Sequence, residues 1–263
     1  MRCYVEPAAW RADEMVLGPE ETHHLHTVLR ARRQSLVTLF DGRGRSAEAE
    51  IVSLDRRSAR LRVIQQFVHQ RPPTELLLVQ GIPREQKMDL VIQKATELGV
   101  SRILPVQTDH AVMRVREDNE ASKLDRWQKI ALNAAKQCGA DWLPDVCPVQ
   151  DLEACLSSLP RMDLFLHASL DPDARPLREV LLQARASTPR AMAVLVGPEG
   201  DLSARERARR TLAASRDQAA GRLHAHAAPA AARRPVREHR RPVWPVRCRR
   251  PCRAPPGLGR GGG

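Results

Sequence analysis

The spacing of apolar residues changes character near residue 70. Before it, short runs with two-residue alternation dominate. Leu36 to Phe40 reads as a strand, Asp41-Gly42-Arg43-Gly44 as a turn, and Ala47 to Leu54 and Ala59 to Val68 as two more strands. In the last of these, Leu61, Val63 and Phe67 fall on one face and Arg60 and Arg62 on the other. One helix precedes them. Pro19 opens it, Glu20 and Glu21 occupy its first turn, Leu25, Val28 and Leu29 make an apolar stripe, and Arg30 closes it. Residues 1–70 are therefore expected to form a small β-barrel-like module. Arg71-Pro72-Pro73-Thr74-Glu75 is the expected linker, because two prolines continue neither helix nor strand.

From residue 76 the pattern becomes strand then helix, repeated. Leu76 to Val79 is a buried-type strand. Glu85 to Leu98 is a helix with Met88, Val91, Ile92, Ala95 and Leu98 inward and Gly99 as its stop. Arg102 to Val106 is a strand. Lys123 to Cys138 is a helix with Leu124, Trp127, Ile130, Ala131 and Ala134 inward. Leu164 to Leu166 runs into His167, Pro176 opens a helix through Ala184, and Ala191 to Val196 is a further strand. Such alternation predicts an α/β domain with a mostly parallel sheet over 76–213. The last strand runs into Gly197-Pro198-Glu199-Gly200, and Ser203 and Glu206 then have capping-box spacing. Ligands of open α/β sheets bind at the carboxyl ends of strands, where glycine lets backbone approach a ligand. The turn also reads as a plain tight corner.

Composition narrows the chemistry. The formal charge is +12. From Arg205 onward there are 16 arginines against three acids, so this last part is +13 and the rest of the chain is −1. Total charge therefore says nothing about the body, and only local clusters count. Arg30, Arg32 and Arg33 gather where the first helix ends, with Arg43, Arg45, Arg56, Arg57, Arg60 and Arg62 following. They form either a solvated face or a phosphate-contacting surface. None of the six cysteines makes a C-x-x-C pair, so reduced thiols and no metal are expected. No stretch is long enough to span a bilayer and Met1 to Glu6 lacks a signal-peptide pattern, so a soluble cytoplasmic protein is expected. Phosphate-loop, dinucleotide-fingerprint and nucleophile-elbow motifs are all missing.

Five segments in order carry a more specific signal. His23-His24-Leu25-His26-Thr27-Val28-Leu29-Arg30, Gln93-Lys94-Ala95-Thr96-Glu97-Leu98-Gly99-Val100, Ile103-Leu104-Pro105, Ala134-Ala135-Lys136-Gln137-Cys138-Gly139 and Gly197-Pro198-Glu199-Gly200 resemble the motifs of the RsmE family. These are SPOUT-class uridine N3-methyltransferases of 16S ribosomal RNA. The resemblance covers about residues 1–213. It implies a PUA-like RNA-binding β-domain and a parallel-sheet domain with a C-terminal trefoil knot. It further implies S-adenosylmethionine as cofactor, ribosomal RNA or the small ribosomal subunit as partner, and a homodimer. Leu166, His167, Gly197, Pro198, Glu199 and Gly200 then become cofactor-binding candidates, and Arg30, Arg32, Arg33 and Lys94 RNA-binding candidates. His167 is equally readable as a scaffold hydrogen bonder.

The chain departs from the family pattern at Asp201, where a second glycine is usual, at Ala140 for arginine, and at Asp109-His110-Ala111. The L-G-x-R-I-L-R-x-E-T-A segment expected after the last helix is absent, so no catalytic residue is assigned. Residues 214–263 are rich in Arg, Ala, Pro and Gly and show no periodicity. Disorder from about Ala214 is expected there, from a shifted reading frame or a basic nucleic-acid-binding tail. Two other functions fit the resemblance: a non-catalytic RNA-binding protein with a degenerate SPOUT domain, and a SPOUT methyltransferase of transfer RNA.

Overall fold

A computed structural model describes residues 1–84, 87–111, 117–169, 174–199, 201–208 and 220–224. The N-terminal part comprises β1 (Arg2–Tyr4), β2 (Glu14–Leu17), α1 (Pro19–His23), β3 (Leu36–Phe40), β4 (Arg45–Leu54) and β5 (Ala59–Val68). The strands form one sheet in the order β1-β3-β4-β5-β2, with β1 parallel to β3 and the other pairs antiparallel. Their inward residues, among them Cys3, Met15, Leu17, Val37, Leu39, Ile51 and Leu61, close over Leu25.

Three expected apolar positions turn outward here. α1 passes at His24 into a π-helical turn over His24–Val28. This wider turn carries Val28 off the face that buries Leu25, and Val28 and Leu29 are exposed. Arg30 lies beyond the helix, in a left-handed conformation with φ 48°. On β5, pairing skips from Ala49↔Val63 to Glu48↔Gln65. The extra residue, Ile64, reverses the alternation beyond it, so Phe67 faces solvent rather than sharing the face of Leu61 and Val63.

The second part holds β6 (Glu75–Gly81), α2 (Lys87–Glu97), β7 (Arg102–Gln107), α3 (Glu117–Cys138), β8 (Asp145–Val146), β9 (Gln150–Asp151), α4 (Leu152–Ser158), β10 (Leu164–Ser169), β11 (Arg175–Pro176), α5 (Leu177–Ala184), β12 (Ala191–Val196), α6 (204–208) and β13 (Ala220–His224). The sheet is parallel throughout, ordered β11-β13-β10-β12-β6-β7-β8, with β9 also on β7. Leu77, Val79, Leu104, Phe165, Ala193 and Leu195 face α4 and Leu202. Leu76, Leu78 and Ile103 face α2 and α3, while Leu164, Leu166, Met192 and Val194 face α5. Pro105 lacks a ladder donor, and it falls where the outer partner of β7 changes from β8 to β9.

Further corrections follow from caps and edges. Leu98 is exposed, because Gly99 at φ 80° turns the chain and the Val100 amide bonds back to the Ala95 carbonyl. Val100 takes the inward place instead. α3 begins six residues before Lys123, and β10 continues through His167 to Ser169. α4, β8 and β9 were too short to leave a period. Disorder from Ala214 does not hold at Ala220–His224: this segment pairs with the open edge of β10, whose free amides and carbonyls recruit a strand with little apolar content. The rest of that stretch lies outside the described residues.

A polar seam joins the two sheets. The Arg2 guanidinium reaches Asp141 at 2.5 Å and the Ala140 carbonyl at 2.8 Å, and half-buried Lys136 pairs with buried Glu21. Cys3 sits beside that pair; burial, then the Glu21 charge, pushes its thiol up to about 12. The described cysteines Cys3, Cys138, Cys147 and Cys155 are all free thiols. No helix among the described residues is long and apolar enough to cross a membrane.

Candidate functional site

Buried polar side chains described in the second part are Gln80, Thr96, Thr108, His167 and Ser169. Gln80, Thr108 and Ser169 sit at or next to the carboxyl ends of β6, β7 and β10, and His167 lies two residues inside β10. Burying polar atoms costs free energy that partners have to offset, so their gathering toward one edge marks that edge as the candidate site.

The Gly197-Pro198-Glu199 turn lies over this edge. Val196 is level with Ala168 of β10 and Gln80 of β6. A Cβ on Gly81 would lie 2.8 Å from both the nitrogen and Cδ of Pro198, so only glycine lets the turn cross the end of β6. The Asp201 amide bonds to the Pro198 carbonyl at 2.9 Å, closing the turn, and Asp201 itself is left-handed at φ 56°. That conformation explains why glycine is usual at this position, and aspartate is among the side chains that tolerate it. Gly200 lies outside the described residues.

Leu166 and His167 sit inside β10 rather than at its end. The Leu166 side chain packs with Val180 and Val194 in the core. His167 is buried, with Nε2 3.9 Å from Asp201 Oδ1, so the strand and the turn meet at this pair.

The Glu199 carboxylate accepts the Arg84 amide at 3.1 and 3.2 Å and the Lys87 ammonium at 2.9 Å. The Lys87 bond, ahead of the backbone bonds, holds its carboxyl below the usual range. On the other flank the expected capping box forms reciprocally. The Ser203 amide donates to Glu206 at 2.8 Å, and the Glu206 amide donates to Ser203 Oγ at 3.2 Å. Ser203 Oγ also donates to Asp109 at 2.7 Å, and the Asp109 amide to Glu206 at 2.9 Å. Asp109, a departure from the family pattern, thereby ties the end of β7 to α6. A cavity of about 300 Å³ opens beyond this tie, lined by Gln107, α4, Arg205 and Glu206; none of Leu166, His167 and Gly197 to Glu199 lines it.

Gly81, Arg84, Lys87 and Asp109 were missed from sequence. Gly81-Ile82-Pro83 at a strand end was a usable signal for the first. The others depend on partners about a hundred residues away.

The arginines of the N-terminal part divide into two groups. Arg45 pairs with Asp41, Arg60 with Glu14 and Arg62 with Glu50. Arg30, Arg32 and Arg33 are exposed, and none of them has a salt-bridge partner among the described residues. The loop holding them is fixed by backbone: the Leu29 amide bonds to His24, Ala31 to Leu25, Ser35 to Arg32 and Gln34 to Ile51. Arg56 and Arg57 stand exposed on the β4–β5 hairpin, which Asp55 braces through the Arg57 and Ser58 amides. Lys94 is exposed on α2 of the second part and pairs with Glu97 at 2.7 Å.

Comparison with known proteins agrees with this division. The RNA methyltransferase domain family matches residues 70–217, and an RNA methyltransferase PUA domain matches residues 17–64. The chain is 27% identical over 190 residues to ribosomal RNA small subunit methyltransferase E of Bacillus subtilis, covering 71% of this chain and 74% of that one. A solved structure of the enzyme of that name from Neisseria gonorrhoeae, bound to S-adenosyl methionine, superposes with a TM-score of 0.73 at 27% identity, covering 84% of this chain and 87% of that one. A Legionella pneumophila protein solved with the same cofactor gives a TM-score of 0.72 at 25% identity, covering 86% and 88%.

Proposed function

Because the chain belongs to the RNA methyltransferase family, we propose that it is a small-subunit ribosomal RNA methyltransferase, moving a methyl group from S-adenosylmethionine to N3 of a uridine in 16S ribosomal RNA. The observation that carries this is the set of buried polar side chains at the strand ends beneath the Gly197-Pro198-Glu199 turn.

The residues present fit the cofactor on two sides. His167 and Ser169 give β10 a polar, buried end, and the Gly197–Glu199 backbone passes close above the sheet. When bound, the cofactor supplies a sulfonium-activated methyl, so the protein has chiefly to position and desolvate. The chain's own part is to hold the turn rigid, to keep the strand ends dry, and to present RNA. Arg30, Arg32 and Arg33 serve the last role as phosphate contacts. Removal of the N3 proton needs a positive group or donor near the base carbonyls, and no described residue is assigned to it.

The finer reading comprises a PUA-like domain over 1–70, a linker, a SPOUT domain over 76–213 whose family ends in a trefoil knot, and work as a homodimer in cytoplasmic ribosome assembly. Residues 214–263 lack the L-R-x-E-T-A segment, which favours a second reading: an RNA-binding chain with an impaired methyl-transfer site. One experiment separates them. S-adenosylmethionine binding and transfer of labelled methyl to small-subunit RNA are measured for this chain and for a chimera carrying the family's final segment after residue 213. The expected result is weak binding by the first and normal binding and transfer by the second. A chimera that binds no cofactor overturns the enzyme reading. Normal transfer by the chain itself overturns the idea that its last residues impair it.

A further inference from the structure

Glu199 lies in the middle of the turn that a cofactor would face, yet beyond its own backbone amide the described bonds of its carboxylate all go to the approach of α2. Both oxygens meet the Arg84 amide and one meets Lys87. The turn is also pinned below by the Gly81–Pro198 contact and beyond by the Ser203–Glu206–Asp109 network. Lys87 is largely exposed, and an exposed ion pair alone contributes little. What orients the carboxylate is the shared backbone amide, a charge-assisted bond with fixed geometry.

We propose that Glu199 is a positioning residue: held by the Arg84 amide and Lys87, it fixes the Gly197–Glu199 backbone over the end of β6 and is not itself a cofactor ligand. This rests on the reading that methyl transfer occurs at this turn. Its chemistry is consistent. A free carboxylate would attract a sulfonium cation, whereas the oxygens of this one are committed to the Arg84 amide and Lys87.

The test uses the full chain and two readouts. Amide hydrogen exchange over residues 196–203, without cofactor, reports how firmly the turn is held, through the bonded amides of Asp201 and Ser203. Calorimetric titration with S-adenosylmethionine reports ligand contact. Glu199→Ala removes every acceptor and is expected to speed exchange about tenfold. Glu199→Gln keeps one acceptor for the Arg84 amide, and Lys87→Met keeps the amide bond, so each should speed exchange by about threefold. Lys87→Arg should restore the original rate. Unchanged exchange in Glu199→Ala overturns the proposal. So does a Glu199→Gln chain that loses cofactor binding while its exchange stays at the original rate, because Glu199 would then be a direct ligand. If the unaltered chain takes up no cofactor, the methyl-transfer reading fails, and the exchange ranking still decides whether Glu199 positions the turn.

Discussion

The arginine loop and the Gly197–Asp201 turn are built alike and charged differently. Each bends through left-handed residues that are not glycine: Arg30 at 48° and Gln34 at 70° in the loop, Asp201 at 56° in the turn. Such a conformation costs roughly 1–2 kcal/mol for an ordinary side chain. Each is tied to its sheet by backbone hydrogen bonds, Gln34 to Ile51 and Asp201 to Pro198. The contrast lies in the charges. In the loop Arg30, Arg32 and Arg33 point to solvent without ion-pair partners, while in the turn Glu199, Asp201 and Glu206 all have partners within the chain. Charge left unpaired on the loop is available to a partner outside the molecule. Charge consumed within a turn holds the turn.

Charge reversal at Arg30, Arg32 and Arg33 together is the strongest way to break this contrast. Affinity for small-subunit RNA should fall by about two orders of magnitude at low salt. The slope of log K against log salt should shrink by about two to three, roughly one per lost phosphate contact. The measurement belongs in a chain ending at His226, since ten of the arginines lie after it and would bind any polyanion. Unaltered affinity and slope would return the three to an ordinary solvated face.

Gly81→Ala acts on the other region. Its new methyl would meet the Pro198 nitrogen and Cδ, which cannot move without lifting the turn. Destabilisation of about 1–3 kcal/mol is expected, as for overpacking elsewhere. Cofactor affinity should fall with it, and RNA affinity should not. A loss of RNA binding equal to that of cofactor would show that the two regions are not separable.

These regions differed in how far the sequence revealed them. Ser203 and Glu206 form their capping box because it needs partners only three residues apart. The strand Ala191–Val196 and the stop at Gly99 were legible for the same reason. What failed was anything set by register or by a distant partner. Val28 was displaced by a π-helical turn and Phe67 by a bulge, neither of which changes composition. Leu98 looked inward by period, but Val100 takes its place once the chain turns at Gly99. Lys87 carried no signal of its role, since its partner is Glu199. The free state of Arg30, Arg32 and Arg33 became visible only when the acids near the other arginines were paired off in space.

Ser203→Ala sharpens the view that the turn is held from both flanks. It removes the acceptor of the Glu206 amide and the donor to Asp109. The expected cost is about 1 kcal/mol, a lowering of Tm by about 2–4 °C in thermal denaturation. Exchange at the Asp109 amide should rise too, because Ser203 Oγ no longer holds the Asp109 carboxylate in place. A change confined to α6, with Asp109 unaffected, would mean that the two flanks hold independently.

The smallest effect is a titration. Glu199 is held below its ordinary value of 4.5 by Lys87, by its own backbone and by the Arg84 amide. Its folded pKa being depressed, the contribution is complete above the ordinary carboxylate range and disappears as pH falls through the lower, folded value. No stability gain follows from raising pH above neutrality. The arginine loop relies on backbone bonds and on Ser35 Oγ, which accepts the Arg32 amide at 3.1 Å, so no carboxylate titration loosens it. Amide resonances of Arg84 and Asp201 should therefore shift with a midpoint below 4.5, while those of Ala31 and Gln34 stay flat over the same window. In Glu199→Gln the Arg84 shift should vanish. A midpoint at or above the ordinary value would mean that the carboxylate is free in solution, and the turn would then have to be held by Gly81 and the Ser203 network alone.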